Sequence, residues 1–353
     1  YFAIFKVKGV NFKMPLTMQK TLNLYPIDYP FETLVNRIES KEPKTILDPD
    51  FQRKYKWDKD GGGRASKFME SCLMRIPLPS CYFAEDEQGR HLVIDGVQRL
   101  TTIQKFFNDD FALESLTTFK ELEGKKFSEL GEFKTELENT TIRCIVLRKD
   151  NPKKLIREIF ARLNQGAVQL SDQEIRHAIY SGALDDLLIE LSEIDLIRNF
   201  GSNNKKDSRE SEEQVLRFFA FTDDLTLNGY SDKLSDFLDE YMEKNLEINT
   251  DNISLLKDKF SQAINNCRIV FDEDIFTNPT NEITKQGLVY YDLLMCSVGL
   301  LDPQLVQEKK DQIKESYKRL FLETDFNSTL SGGLQRKSSI LRRRSLWASL
   351  LDE

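Results

Sequence analysis

The spacing of apolar residues changes near residue 150, and this change constrains the fold more than any other feature of the sequence. Upstream, short runs rich in β-branched and aromatic residues alternate with segments whose apolar residues recur every three or four positions. Downstream of Asn151, the helical spacing continues almost to the last residue. We therefore predict an α/β (α+β) domain over residues 18–150 and a mostly α-helical domain over residues 151–353. Residues 1–17 are an extension to which we assign no role.

The local spacing also predicts individual elements. Strands are expected where aliphatic and aromatic residues follow one another without a helical repeat, at residues 44–47, 80–84, 91–94 and 143–147. In the first domain, 3/4 spacing predicts helices through residues 68–73 and 100–107. In the second domain, apolar stripes predict helices through residues 155–163, 184–191, 211–222, 234–242, 252–270, 284–299, 303–322 and 338–351.

Charge and residue counts exclude several classes of function. The 353 residues carry a net charge of −8 and two histidines, with no HExxH or HNH-like spacing. A histidine-ligated zinc centre or an HNH nuclease centre is therefore not expected. The five cysteines form no CxxC pair, which predicts reduced thiols and a cytoplasmic location. No apolar run is long enough to span a membrane.

Residues 91–107 carry the most chemical information. They predict an apolar strand, a tight Asp95-Gly96 turn and an amphipathic helix that begins near Gln98. Gly96 permits a positive φ, and the amide groups of such a turn, together with a helix N-terminus, favour an anion. Arg99 opposes the helix dipole unless it binds a phosphate or an acidic partner. From these residues alone, a phosphate site and a plain strand–turn–helix corner with Arg99 in a salt bridge both stay open.

A second cluster lies upstream, in residues 48–57. Gln52, Arg53, Tyr55 and Trp57 combine amide, guanidinium and aromatic groups after a short strand. The rings could stack on a nucleotide base while Arg53 meets a phosphate or an acidic partner. The alternative is a surface loop whose aromatic residues pack on the core, and composition alone favours that alternative.

A third cluster spans residues 160–177. Ser171 and Glu174 have the spacing of a capping box at the start of a helix, which gives Glu174 a structural role. His177 is expected to be a structural histidine with a satisfied ring. Three further residues have no comparable role in the pattern and are candidates for ligand binding: Arg162, Asn164 and Arg176.

Taken in order, the three clusters resemble the GmrSD-type restriction endonuclease N-terminal family, which carries a DGQQR motif on a ParB/sulfiredoxin-like fold. The motif reads Asp95-Gly96-Val97-Gln98-Arg99 here and is followed by Leu-Thr-Thr, as in that family. Residues 50–57 are similar to its Gln-Arg-aromatic-Trp segment. Residues 160–166 and 170–176 match its FxRLNxG and LxxQEIR segments.

The resemblance implies NTP binding and, in many relatives, NTP hydrolysis coupled to restriction of phage or modified DNA. Carried over, Asp95, Gly96, Gln98 and Arg99 would hold the triphosphate or its Mg²⁺, with Asp95 as the metal ligand because hard cations prefer oxygen. Phosphoryl transfer depends on positioning and charge neutralisation, so it requires no histidine. The sequence does not distinguish GTP, CTP, UTP and ATP. The residues that would complete the pocket are Gln52, Arg53, Arg162, Asn164 and Arg176.

Two departures from the family pattern bear on function. Val97 replaces the first glutamine of the motif and removes a group that can orient water or phosphate, so binding is expected and turnover is in question. The HNH nuclease domain that frequently follows in this family has no counterpart in this sequence. A stand-alone chain of this kind is expected to depend on a separate nuclease subunit for DNA cleavage.

We therefore predict an NTP-binding, NTP-hydrolysing regulatory subunit of a phage-defence, modification-dependent restriction system. The alternative is a non-enzymatic DNA-binding or sensing clamp of ParB-like fold, for which residues 335–344 supply five positive charges within ten positions. A solvated helix face paired with acidic neighbours explains that segment equally well. A ParB-fold kinase or nuclease is a third alternative, without a dedicated acceptor site. DNA contact through the partner or this segment, and a homo-oligomer, are compatible with the sequence; a membrane association is not expected.

Overall fold

The computed structural model describes residues 2–7, 10–15, 22–47, 55, 57, 63–163, 170–202, 209–281 and 285–352. The chain divides into two compact units, Tyr1–Leu170 and Ser171–Glu353. This division falls later than the change in sequence pattern near residue 150. The reason is that the helix Lys153–Leu163 packs against a strand of the first unit, although its apolar spacing resembles that of the helices downstream.

Five strands of the first unit form one mixed sheet. The strands are β3 (Leu24–Pro30), β4 (Thr45–Ile46), β5 (Cys81–Glu85), β6 (His91–Asp95) and β7 (Thr141–Leu147), in the spatial order β3-β7-β5-β6-β4. β3 and β7 are antiparallel, as are β5 and β6, whereas β7 runs parallel to β5 and β4 runs parallel to β6. A separate antiparallel hairpin precedes the sheet, formed by β1 (Phe2–Val7) and β2 (Val10–Pro15).

Four helices contribute to the apolar core of the first unit. They are α1 (Phe31–Glu39), α2 (Gly63–Leu73), α3 (Val97–Phe107) and α4 (Glu132–Asn139). The core contains fully buried Phe31, Met69 and Leu100 from three of these helices and Val146 from β7. The helix Lys153–Leu163 is α5, and it buries Ile156 and Phe160. The predicted mixed α/β domain is confirmed, as are the four predicted strands within one or two residues of their ends.

A buried polar network holds the start of β6 to the edge of the sheet. His91 lies with Nε2 3.2 Å from the hydroxyl of Tyr25 and Nδ1 3.4 Å from the hydroxyl of Tyr29. Arg37 Nη2 lies 3.4 Å from the same Nδ1, and a guanidinium can only donate, so Nδ1 accepts. Burial lowers the pKa of His91, and the charge of Arg37 lowers it further. His91 is therefore a neutral structural histidine of the sheet.

The second unit is helical, as predicted. Its helices are α6 (Asp172–Ile179), α7 (Ala183–Ser192), α8 (Asp195–Arg198), α9 (Glu210–Asp223), α10 (Leu234–Lys244), α11 (Thr250–Phe271), α12 (Leu288–Met295), α13 (Pro303–Leu320), α14 (Thr324–Ser328) and α15 (Lys337–Leu351). Large aromatic side chains fill its interior, among them Phe218, Phe260, Tyr317 and Trp347. The indole Nε1 of Trp347 donates to Ser297 Oγ at 2.8 Å, which satisfies its one polar atom.

Two further features predicted from the sequence concern the cysteines and membrane-spanning helices. All five cysteines are buried and unpaired, as the prediction of reduced thiols requires. Among the described residues, no helix combines the length and the apolar character needed to cross a bilayer.

Candidate functional site

The Asp95-Gly96 turn joins β6 directly to α3. Gly96 has φ of 106° and stands at the N-cap position of α3. A Cβ atom at Gly96 would overlap the Sγ atom of Cys81, which starts the neighbouring strand β5. Glycine is therefore required here for two reasons: the left-handed backbone conformation and the close approach of the turn to β5.

The N-cap residue of α3 is a glycine. Gly96 has no side chain that could accept from the first amide groups of the helix, and no other side chain in the described part of the protein caps this end. The backbone carbonyl of Gly96 accepts from the amide of Leu100 at 2.9 Å, which fixes the first turn. The amide groups at a helix N-terminus carry partial positive charge and form a binding position for an anion.

Arg99 folds back over the turn. Its Nη2 donates to Asp95 Oδ2 at 2.9 Å and to the carbonyl of Ser80 at 3.3 Å, and its Nη1 donates to the carbonyl of Pro79. Its side chain is 13% exposed, whereas that of Asp95 is 43% exposed. The salt bridge that the sequence left open is thus formed, and it places an exposed carboxylate and a guanidinium next to the start of α3.

Two cysteine thiols lie on neighbouring strands, and that of Cys81 lies close to Gly96. Cys81 and Cys144 occupy paired positions on β5 and β7. The hydrogen bond with Cys144 and the charge of Arg99 hold the pKa of Cys81 below its usual value, although burial acts in the opposite direction. The same hydrogen bond, together with burial, raises the pKa of Cys144. The positive charge of Arg99 therefore acts on the buried thiol of Cys81 as well as on the carboxylate of Asp95.

The two other residues of the motif, Val97 and Gln98, lie in the first turn of α3. Val97, where the family motif has glutamine, packs against the apolar core of the first unit. Gln98 is half-buried, and its carbonyl accepts from the hydroxyl of Thr102 at 2.8 Å. The substitution at position 97 therefore changes a side chain that contributes to packing in this protein.

The aromatic residues of the second cluster pack on helices of the first unit. The hydroxyl of Tyr55 lies 2.8 Å from Thr102 Oγ1, and Lys105 Nζ lies 4.7 Å from the centre of the Tyr55 ring. The ring of Trp57 is 5.5 Å from that of Phe68. Tyr55 thus anchors its segment to α3, the helix that begins at the turn. Gln52 and Arg53 lie outside the described residues.

These observations agree with a comparison of the sequence with protein-family models. Residues 31–181 match the model described as "GmrSD restriction endonuclease, N-terminal domain". These residues are a GmrSD-type N-terminal domain. The family implies a role in a restriction system. No curated protein and no solved structure matches the chain.

The GmrSD-type domain extends into the second unit, where it includes Arg176. That side chain is 1% exposed, and its Nε donates to Asp239 at 2.7 Å. Its Nη1 donates to Glu213 at 2.8 Å and to Gln173 at 3.1 Å, and its Nη2 donates to Ser235 Oγ at 2.8 Å. Each nitrogen of the guanidinium is engaged by the protein, so Arg176 has the contacts of a structural residue. The sequence pattern gave no sign of these partners.

Of the other two candidate residues in the third cluster, the structure describes one. Arg162 is exposed at the end of α5 and pairs with Glu158. Asn164 lies outside the described residues. The predicted capping box is confirmed: Ser171 Oγ accepts from the amide of Glu174 at 3.1 Å, and the Glu174 carboxylate accepts from the amide of Ser171 at 2.5 Å.

The basic segment at residues 335–344 is largely engaged within the second unit. Arg343 is buried and donates to the carbonyls of Thr329 at 2.9 Å and Leu334 at 2.6 Å. Arg342 pairs with Asp325, and Arg344 donates to the carbonyl of Leu225 at 2.6 Å. Three of its five charges therefore hold the ends of helices and loops together.

The residues that pack against the Asp95-Gly96 turn were not identified from the sequence. Cys81 and the carbonyls of Pro79 and Ser80 define how the GmrSD-type motif packs. Ser80 and Cys81 were predicted only as part of a strand, and Pro79 was not singled out. The signal available was positional, because a strand adjacent to β6 must place some residue directly under Gly96. Which residue that is depends on the register and on the bulge between Tyr82 and Phe83.

Proposed function

We propose that this protein binds a nucleoside triphosphate at the Asp95-Gly96 turn and hydrolyses it as the regulatory part of a phage-defence, modification-dependent restriction system. The supporting observation is the combination of a helix N-terminus that begins at a glycine with positive φ, Arg99 and an exposed Asp95 within one turn of chain. Amide groups and a guanidinium suit phosphate oxygens, and an exposed carboxylate suits a hard cation.

Each residue of the turn has a distinct role in this proposal. The first amide groups of α3 bind the phosphate chain, with Gly96 allowing a close approach. Arg99 neutralises phosphate charge after exchanging its contact with Asp95 for one with the ligand. Gln98, in the first turn of the helix, orients a phosphate oxygen or the attacking water. Asp95 would hold Mg²⁺, which supplies charge neutralisation when bound.

The remaining predicted residues complete the proposed pocket to different degrees. Gln52 and Arg53 precede the anchored Tyr55 by two or three positions, and we assign them contacts with the nucleotide. Arg162, in the last turn of α5, stays a candidate for nucleotide contact, as does Asn164. Arg176 holds α6 in place within the second unit. Which of GTP, CTP, UTP and ATP binds is open to the experiment below.

A separate nuclease subunit supplies DNA cleavage in this proposal. We prefer this arrangement to a DNA-binding clamp, because Arg342, Arg343 and Arg344 are engaged by their own unit. Hydrolysis at the turn would then control when the partner acts.

Phosphate release tests the proposed activity. Wild-type protein with Mg²⁺ and each of the four NTPs should release inorganic phosphate from at least one of them, and Arg99→Ala should abolish this release. Arg75→Ala is the matched control, since Arg75 is an exposed arginine of the same unit paired with Glu136. Release by Arg99→Ala at the wild-type rate would contradict the assignment.

Asp95→Asn separates the metal ligand from the phosphate ligand. The variant should lose Mg²⁺-dependent hydrolysis. In Mg²⁺-free buffer it should bind NTP at least as tightly as wild type, because it removes a negative charge and the competitor for Arg99. Weaker NTP binding without Mg²⁺ would show that Asp95 contacts the nucleotide in another way.

A further inference from the structure

Three helices of the second unit bring together side chains with metal-binding chemistry. His177 lies on α6, Asp185 on α7 and Glu212 in the first turn of α9. One ligand atom from each residue lies within 4.8 Å of the other two. His177 and Asp185 are eight positions apart and Glu212 lies 27 positions beyond Asp185, so no local zinc-binding motif in the sequence predicted this cluster. The three residues play no part in the nucleotide site proposed above.

Asp185 is the residue that most needs a further partner. Its side chain is 2% exposed, and its Oδ2 lies 2.6 Å from His177 Nδ1. Its other oxygen, Oδ1, is buried and has no hydrogen-bond partner among the residues that the structure describes. A buried carboxylate oxygen without a partner is costly, and a bound cation would remove that cost.

Glu212 is held from one side by Arg209. Arg209 Nη1 lies 2.7 Å and 2.8 Å from the two carboxylate oxygens of Glu212. A carboxylate has about four lone-pair positions, so this contact leaves acceptor capacity toward the other two residues. Metal-bound carboxylates are commonly oriented by such outer hydrogen bonds. Arg209 can therefore orient Glu212 as a ligand.

The cluster also has a route to solvent. The side chain of His177 is 21% exposed, whereas that of Asp185 is almost fully buried. A metal ion can therefore reach the imidazole first and the carboxylates second. An accessible edge and a buried ligand set are both expected of a protein metal site.

We propose that His177, Asp185 and Glu212 form a binding site for a divalent transition-metal ion of the Zn²⁺ type. One imidazole nitrogen and two carboxylate oxygens are three protein ligands, which leaves a fourth position for water. The nitrogen ligand favours a transition metal over Mg²⁺, which prefers six oxygen ligands. The bound ion ties the start of α9 to α6 and α7.

The two histidines make this proposal directly observable by NMR. His91 and His177 are the two histidines of the chain, so protein labelled with ¹⁵N-histidine gives two imidazole spin systems, which His91→Gln assigns. After treatment with EDTA, Zn²⁺ should shift the His177 signals at one equivalent and leave those of His91 unchanged. Mg²⁺ at millimolar concentration should shift neither. No shift of His177 with Zn²⁺ would overturn the proposal.

Variants test the carboxylates independently of nucleotide hydrolysis. Asp185→Asn and Glu212→Gln should each weaken Zn²⁺ binding, measured by calorimetry, by at least about tenfold. Asp186→Asn is the matched control, because Asp186 is an exposed neighbour on α7. Wild-type affinity in both cluster variants, or equal weakening in the control, would contradict the site. Because the readout is metal binding, its failure does not depend on whether the Asp95-Gly96 turn binds NTP.

Discussion

The helix that follows Asp95 and the helix that follows Ser171 begin in opposite ways. Ser171 and Glu174 close the second start with a reciprocal pair of side-chain hydrogen bonds. The first start has a glycine with positive φ at the N-cap, and no described side chain caps it. A capping box uses the first amide groups to stabilise the protein, whereas a glycine at the N-cap allows a ligand to approach them closely. Under the function that we propose, the first helix start binds the ligand and the second stabilises the fold.

Arg99 and Arg176, which lie in these two helices, differ in their burial and in the number of carboxylates that they contact. Arg99 contacts one carboxylate, and that carboxylate is 43% exposed. Arg176 is 1% exposed and contacts two carboxylates of other helices. Exchanging the partner of Arg99 for a phosphate requires a local movement, whereas releasing Arg176 would remove a buried charged partner from Asp239 and Glu213. The first arginine is suited to a ligand and the second to stability.

Removing the buried arginine should give the largest loss of stability. Arg176→Met removes the buried guanidinium that pairs with Asp239 and Glu213, which should lower the free energy of unfolding by about 3–5 kcal/mol. Urea denaturation measures this change. Arg198→Met is the control, since Arg198 makes exposed ion pairs worth about 1 kcal/mol or less. A loss as small as that of the control would remove the distinction between the two regions.

Substituting the glycine of the turn should have the next largest effect. Gly96→Ala combines left-handed backbone strain with overlap against Cys81, which should cost about 2–4 kcal/mol. Gly124→Ala shares the positive φ but has no atom within 4 Å of the added Cβ, so it should show the backbone part alone. Thermal unfolding of both variants separates the two contributions. Equal losses would mean that contact with β5 does not constrain the turn.

Removing the cap should have a smaller effect confined to stability. Ser171→Ala loses the hydrogen bond to the amide of Glu174, and such caps contribute about 1 kcal/mol. Urea denaturation should detect the loss, while phosphate release by the folded protein stays at the wild-type rate. A decrease in that rate would mean that the capped start also takes part in the activity.

Protonation of His91 at acidic pH should lower the stability of the protein, and this effect should be the smallest of the four. The folded-state pKa of His91 lies below its usual value, chiefly because the side chain is buried, so the unfolded chain takes up the proton first. Stability should therefore fall as the pH decreases below about 6.5. Urea denaturation from pH 7.5 to pH 5 measures the slope, which should flatten in His91→Gln. An unchanged slope in the variant would assign the acid sensitivity to other groups.

Local features of the two regions were predictable from the sequence. Alternating apolar residues and Asp95-Gly96 predicted a strand, a turn and a helix, and the spacing of Ser171 and Glu174 predicted the cap. These features depend on residues within a few positions of each other. Strand β3 was not predicted, because Pro26 and Pro30 interrupt its pattern. Prolines are tolerated there since β3 lies at the edge of the sheet.

Contacts between distant residues were not predictable. Arg176 meets Glu213 and Asp239, which are 37 and 63 positions away, and no local pattern links them. For Arg99, the sequence allowed either a phosphate or a salt bridge. The structure forms the salt bridge with Asp95, and the proposed function exchanges it for the phosphate.

Equilibrium binding of NTP tests the central claim most directly. Each of the four NTPs, with Mg²⁺, is titrated into wild-type protein, Arg99→Ala and Ser171→Ala. The account predicts one nucleotide per chain in wild type and in Ser171→Ala. Loss of the charged hydrogen bonds in Arg99→Ala should weaken binding by about 10- to 100-fold. Wild-type affinity in Arg99→Ala, or equal weakening in Ser171→Ala, would contradict the account.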